Sequence, residues 1–272
     1  MLQYSSPYSL SDPLRAEYLA FAIEVSQTGG AAALPYFRAS AVVQNKLTDG
    51  GFDPVTQADK AAEQIVREAI NTRYSEHGIY GEEFGHEEGN GLTWVIDPID
   101  GTRAFMSGML HWGLLLSLFD GERPVLGVMY QPFTEELFYG DGRFAEYRRG
   151  ASHVRSLQVS RRTELSDAVL ATTSPRWFEG SQRAGFDSLE NAVKLTNYGG
   201  DCYIYGMLAM GYLDLAADAN LKPYDIQAHI PIIEGAGGIV TTFDGGNASM
   251  GGVVLASASE VLHQAALEIL CR

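Results

Sequence analysis

Trp94-Val95-Ile96-Asp97-Pro98-Ile99-Asp100-Gly101-Thr102 decides how this 272-residue chain is read. Its apolar run predicts a strand that delivers two carboxylates into a turn opening a helix. Buried carboxylates so close together repel, and like charges at about 4 Å cost roughly 4 kcal/mol at an effective dielectric near 20. A hard divalent cation such as Mg²⁺, which takes oxygen ligands, offsets that repulsion. Gly101 and Thr102 add backbone N–H groups at a helix start, where a phosphate can sit. These residues together point to Mg²⁺-dependent phosphate chemistry.

The chain is long enough to bury a substantial core, as one large domain or two small ones. With 46% hydrophobic and 19% charged residues, it has the make-up of a globular protein rather than a disordered one. A net charge of −15 argues against nucleic acid or an anionic membrane as main partner, and suits metal ions or cationic small molecules. Cys202 and Cys271 are the only cysteines and have no zinc-type spacing, so a reducing cytosol is expected. Met1 to Leu10 lack the basic and apolar regions of a signal peptide. No apolar run reaches the roughly 18 residues of a membrane helix. A soluble cytoplasmic protein is expected.

Ser11-Asp12-Pro13 signals a helix start, with helical spacing through Leu14, Tyr18, Leu19, Ala22, Ile23 and Val25. Gly29-Gly30 is expected to interrupt this helix, which resumes over Ala31 to Arg38. Gln44 to Pro54 is polar and Gly-rich and reads as a mobile loop. Thr56 to Asn71 predicts a second helix. From Ile79 to Val159 strands take over, with hairpin signals at Asp120-Gly121 and Asp141-Gly142. Residues 1–160 therefore read as an α+β half, two helices on a largely antiparallel sheet. Residues 161–272 read as an α/β half, the two forming one unit around a shared cleft. Strands are predicted at Ala168–Thr173, Val193–Thr196 and Leu213–Ala217, and a helix at Tyr203–Met210. A helix opening at Asp225, kinked by Pro231, ends at Gly235-Ala236-Gly237-Gly238; one strand and a last helix from Ser259 follow.

Three acidic clusters fall in separate segments: Gly81-Glu82-Glu83, Asp97 with Asp100, and Lys222-Pro223-Tyr224-Asp225. Each alone has an ordinary explanation. Glu82 and Glu83 fit solvated loop charges, Asp100-Gly101 fits a turn, and Asp225 fits a helix N-cap. The six histidines show no metal-type spacing and read as structural or surface groups.

In combination and order, these segments and the Gly235–Gly238 stretch resemble the inositol monophosphatase superfamily. Val55-Thr56-Gln57-Ala58-Asp59 is similar to its upstream motif, so the likeness runs from about Asp53 to Gly238. The resemblance implies an α-β-α-β-α layered sandwich, commonly a homodimer, with two or three Mg²⁺ per active site. It implies one metal on Glu82, Asp97 and the Ile99 carbonyl, and another on Asp97, Asp100 and Asp225; Glu82 would also neighbour a third. It further implies that Asp59 and Thr102 orient the attacking water, although Thr56-x-x-Asp59 also satisfies a capping box. Gly101 and Thr102 N–H groups would hold phosphate oxygens, and attack on phosphorus would be in line, without a phosphoenzyme.

Within that superfamily, Asp100-Gly101-Thr102-Arg103-Ala104-Phe105 is similar to the histidinol-phosphate phosphatase branch. Gly199-Gly200-Asp201-Cys202-Tyr203 and Leu221 to Asp225, with Tyr224 where inositol enzymes typically carry Trp, also look like that branch. L-histidinol phosphate is cationic on its leaving group and should meet acidic side chains. Asp218 matches the family's acidic substrate contact, and Asp201 is a second candidate. Asp201 also fits a helix cap, Asp218 a surface turn, and Arg103 either a phosphate contact or a solvated helix start. The resemblance therefore implies release of histidinol in histidine biosynthesis. An inositol-1-phosphate or broader sugar-phosphate phosphatase is the alternative, and a regulatory binding partner is the reading from another class.

Overall fold

The computed structural model describes residues 10–38, 44–45, 54–55 and 57–271. The chain opens with α1 (Asp12–Ala33), β1 (Gln44–Asn45), β2 (Pro54–Val55) and α2 (Gln57–Arg73). A run of strands follows: β3 (Gly78–Gly81), β4 (Gly85–Glu87), β5 (Thr93–Asp100), β6 (Gly113–Phe119), β7 (Pro124–Gln131), β8 (Glu136–Gly140), β9 (Ala145–Arg149) and β10 (Arg155–Ser156). The short α3 (Thr102–Met106) lies between β5 and β6. The remainder alternates through β11 (Val169–Thr172), α4 (Gly180–Ala192), β12 (Leu195–Tyr198), α5 (Cys202–Ala209), β13 (Leu215–Leu221), α6 (Pro223–Ile226) and α7 (His229–Gly235). It closes with β14 (Ile239–Thr242), β15 (Gly252–Ser257) and α8 (Glu260–Leu270).

Strands β10-β9-β8-β7-β6-β5-β3-β4 form one sheet, antiparallel except where β3 runs parallel to β5. The second sheet has the order β12-β11-β13-β15-β14, parallel across β12, β11 and β13 and antiparallel beyond. Side chains alternate faces along a strand, and that alternation sorts the core into layers. Leu114, Leu116 and Leu118 of β6 pack under Tyr18 and Phe21 of α1 and Val66 and Ile70 of α2. Leu115, between them, turns the other way, towards Met129, Phe138, Leu208 of α5 and Ile233 of α7. Ala171, Ala216 and Ala256 of the second sheet close that middle layer from below. Their out-of-phase neighbours Leu170, Leu215 and Leu255 face Phe186 and Leu189 of α4 and Leu262 and Ala266 of α8. The result is the α-β-α-β-α sandwich, and both sheets are buried on each face where they meet.

Several local expectations are corrected by packing. Gly29 and Gly30 do not interrupt α1. A Cβ at Gly29 would lie 2.7 Å from Val66 Cγ2 and 2.9 Å from Leu114 Cδ1, and one at Gly30 would lie 2.8 Å from the Tyr130 ring. The glycines let the helix settle on α2 and the sheet, and only Leu34–Tyr36, a 3₁₀ turn, breaks the α geometry afterwards. The single helix expected from Asp225 is two, α6 and α7. Pro231 would clash with the carbonyl four residues back, at Gln227, and the helix divides there. Helix α4 buries only Gly185, Phe186 and Leu189, too few to mark it in the sequence pattern. Two strands rather than one follow Gly238.

Both predicted hairpins form, with Gly121 and Gly142 at φ +92° and +82°. Of the expected mobile loop, β1 and β2 pair antiparallel, and residues 46–53 lie outside the described residues, as does Thr56 with its capping box. Among the described residues, no helix is long and apolar enough to cross a membrane.

Replacing Gly29 by Ala tests the close approach. Alanine favours a helix by about 1 kcal/mol over glycine, yet crowding of Val66 and Leu114 should dominate and lower stability by about 1–2 kcal/mol in urea unfolding. A raised unfolding midpoint would contradict this packing.

Candidate active site

Strand β5 aims its carboxylates through an irregularity. Asp97 and Asp100, three residues apart, would face opposite sides of a regular strand. Opposite β6, however, Asp97 pairs with Leu115 and Asp100 with Gly113, so β5 carries one extra residue at this point. Such a bulge re-aims the side chains that follow it, and both carboxylates reach one cleft. Pro98 has no N–H to lose there, and Ile99 N donates to Asp97 Oδ1 at 3.1 Å. Gly101 then turns with φ +83°, a left-handed conformation, and a Cβ there would sit 2.6 Å from His111 O. Thr102 Oγ1 donates to Ile99 O at 3.2 Å.

The other acidic residues arrive from separate elements. Glu82 follows β3, and its N–H donates to Ile96 O at 3.2 Å, placing it beside Asp97. Asp225 lies in the first turn of α6 but does not cap it from the N-cap position. Lys222 holds that place, and Asp225 Oδ2 accepts from Lys222 N at 2.6 Å. Carboxylate oxygens of Asp97, Asp100 and Asp225 lie within 4.8 Å of one another. Glu82 and Asp225 also lie close enough for their charges to act on Asp97. Asp59, buried on α2, is close enough for its charge to act on Glu82 and Asp97.

Burial pushes Glu82 up to about 8, with the charges of Asp225, Asp59 and Glu83 adding to the shift. Burial raises Asp225 to about 6, and it also drives Asp97 and Asp100 well above the usual carboxylate range. Gathered hard oxygens with this much mutual repulsion fit a hard divalent cation better than any softer metal.

A cavity of about 290 Å³ opens over the cluster and is lined from both halves. Its lining includes Asp201, whose backbone is at φ 44° and whose side chain makes no cap to α5. Asp201 Oδ2 instead meets His111 Nδ1 at 3.3 Å. Asp218, far from a surface turn, is buried in β13. It accepts from Thr172 Oγ1 (3.0 Å), Thr173 N (2.7 Å), Thr173 Oγ1 (3.2 Å) and Tyr205 Oη (3.1 Å), and burial raises its carboxyl to about 7. Arg103, the one basic residue lining the cavity among the described residues, sits with its guanidinium carbon 5.4 Å from the centre of the Trp177 ring.

Trp177, Thr173, Tyr205 and Asn220 lie in no recognisable motif, and only the fold brings them to the cleft. His111, equally outside any motif, reaches Asp201 behind that lining.

The profile of the Inositol monophosphatase family matches residues 14–272. The chain belongs to the inositol monophosphatase family. It is 36% identical to the bifunctional phosphatase IMPL2 of Arabidopsis thaliana, over 97% of this chain and 78% of that protein. A histidinol-phosphatase of Chlorobaculum parvum is 33% identical over 90% of this chain and 93% of its own length. Among solved structures, an inositol monophosphatase from Zymomonas mobilis superposes with a TM-score of 0.84 at 34% identity, covering 97% of this chain and 100% of that one. The protein is thus a family phosphatase, with an acidic cluster that could hold metal at the base of its cleft.

The raised carboxyls give this phosphatase a characteristic pH response. Glu82 (about 8, against 4.5), Asp218 (about 7, against 3.8) and Asp225 (about 6, against 3.8) hold protons when folded that they lose when unfolded. Stability therefore falls as pH rises towards their folded values. Buried His229 and His263 are depressed from 6.5 to about 3 and 4, and act oppositely, but only below 6.5. Above that point the carboxyls dominate. In EDTA, the thermal midpoint should fall from about pH 6.5 to about pH 8.5, and Mg²⁺ should raise it more at the higher pH. A flat profile in EDTA would show that these carboxyls are not crowded.

Proposed function

We propose that this phosphatase hydrolyses L-histidinol phosphate to L-histidinol and phosphate. The observation that carries the reading is the acidic lining: Asp201 stands in the cavity wall beside Arg103, where it could meet a cationic leaving group. The likeness to the Chlorobaculum histidinol-phosphatase and the branch-like residues Arg103, Asp201 and Tyr224 support it.

In this reading Glu82, Asp97, Asp100, Asp225 and the Ile99 carbonyl would hold Mg²⁺, two or three ions per site. Bound there, the ions would supply Lewis-acid activation of water and neutralisation of phosphate charge. Gly101 and Thr102 N–H groups would take phosphate oxygens, with Arg103 beside them. Thr102 Oγ1 gives its proton to Ile99 O. Its lone pairs are then left to orient the attacking water, and the Asp59 carboxylate is the acceptor for that water's proton.

Asp218 already receives four hydrogen bonds, which fills the capacity of a carboxylate. The ammonium contact is therefore assigned to Asp201, and Asp218 shapes the wall behind it. An inositol or sugar phosphate is the second reading, favoured by the likeness to the Zymomonas inositol monophosphatase. A dimer in the cytoplasm remains part of the proposal.

Asp201→Asn separates the two substrates. A charge-assisted hydrogen bond contributes about 1.5–3 kcal/mol, so kcat/KM for histidinol phosphate should drop about 10- to 100-fold. The value for inositol 1-phosphate should stay within about threefold. Equal losses on both esters, or turnover of the inositol ester alone by the unaltered protein, would overturn the substrate reading.

A further inference from the structure

We infer that the buried Glu63–Arg67 pair of α2 is a positioning device for the cation site, clamping the turn that carries Glu82 and setting its distance from Asp59. The inference rests on the reading of the carboxylate cluster as a divalent-cation site.

Asp59, Glu63 and Arg67 follow one another at four-residue intervals, so they line one stripe of the helix. All three are buried, at 3%, 0% and 6% exposure. The Glu63 carboxylate accepts from Glu83 N at 2.7 Å, from Phe84 N at 3.2 Å and from Arg67 Nε at 2.8 Å. Arg67 then reaches past the turn, donating to Gly85 O and, at 2.8 Å, to Glu87 Oε1. Both ends of the turn from β3 to β4 are thereby tied to α2. Gly81 completes the contact, because a Cβ at that position would fall within the Glu63 carboxylate. On its other side the turn is held to β5 through Glu82 N and Ile96 O.

A buried ion pair is a poor device for stability alone, since apolar packing often does as well. Its directional hydrogen bonds do suit it to hold a ligand in place. Functional side chains must be held to about half an ångström by the residues around them. Glu63 and Arg67 touch neither cleft nor substrate, so their influence would run through Glu82 and Asp59.

The test is Mn²⁺ binding by equilibrium dialysis on the full chain, beside the Mg²⁺ dependence of phosphate release. Loss of groups that support metal ligands weakens metal affinity by about 10- to 100-fold. Glu63→Gln should therefore raise the Mn²⁺ dissociation constant and the half-saturating Mg²⁺ at least about tenfold, with kcat at saturating Mg²⁺ within about threefold. Glu87→Gln, which removes only the outer, half-exposed partner of Arg67, should bind Mn²⁺ as the unaltered protein does. Should Glu63→Gln fail to fold, Arg67→Lys carries the test; it keeps the charge but loses the fork to Gly85, and affinity should still fall about threefold or more. Folded variants with a lowered melting temperature and unchanged Mn²⁺ affinity would overturn the inference. Absence of Mn²⁺ binding to the unaltered protein would remove the cation site itself, and the clamp with it.

Discussion

Like charges gathered in a buried cleft are the constraint around which this fold is arranged. Asp97 and Asp100 come from β5, Glu82 from the end of β3, Asp225 from α6, and Asp59 from α2. Each element must stop or bend at the right place for the set to converge. The bulge in β5 turns two side chains to one side, and parallel pairing of β3 with β5 brings Glu82 alongside. The convergence is costly for the protein alone, and burial and neighbouring charge keep Glu82 and Asp97 protonated beyond the usual range. An arrangement this unfavourable in isolation is one whose repulsion a bound cation could offset.

The two sheets contribute differently. The first supplies the rigid floor, with β5 buried between neighbours and covered by two helices. The second supplies Asp225 and most of the wall: Thr173 and Trp177 after β11, Asp201 and Tyr205 at α5, and Asp218 and Asn220 in β13. Chemistry common to the family would then reside in the floor, and choice of leaving group in the wall. Arg103 bridges the two, its guanidinium over Trp177.

Much of this was legible in the sequence, and for identifiable reasons. The acidic motifs are local, so Glu82, Asp97, Asp100 and Asp225 could be named from their segments, and the Asp-Gly hairpins announce their own turns. What was illegible depends on contacts across the fold. Gly29 and Gly30 read as breakers because nothing local shows that Val66, Leu114 and Tyr130 need the space. Asp218 could be assigned to the cleft, but not its four donors, which come from β11, the residue after it and α5. The pairing of His111 with Asp201 joins residues ninety positions apart and leaves no trace in either segment.

The most direct test of the central claim, that the cluster is a divalent-cation site, is anomalous diffraction from crystals grown with Mn²⁺ and inorganic phosphate. Density peaks should lie between Asp97, Asp100 and Asp225 and between Glu82 and Asp97, with phosphate above them against Gly101 and Thr102. An ordered cleft without an anomalous peak at these carboxylates, at Mn²⁺ concentrations that support turnover, would contradict it.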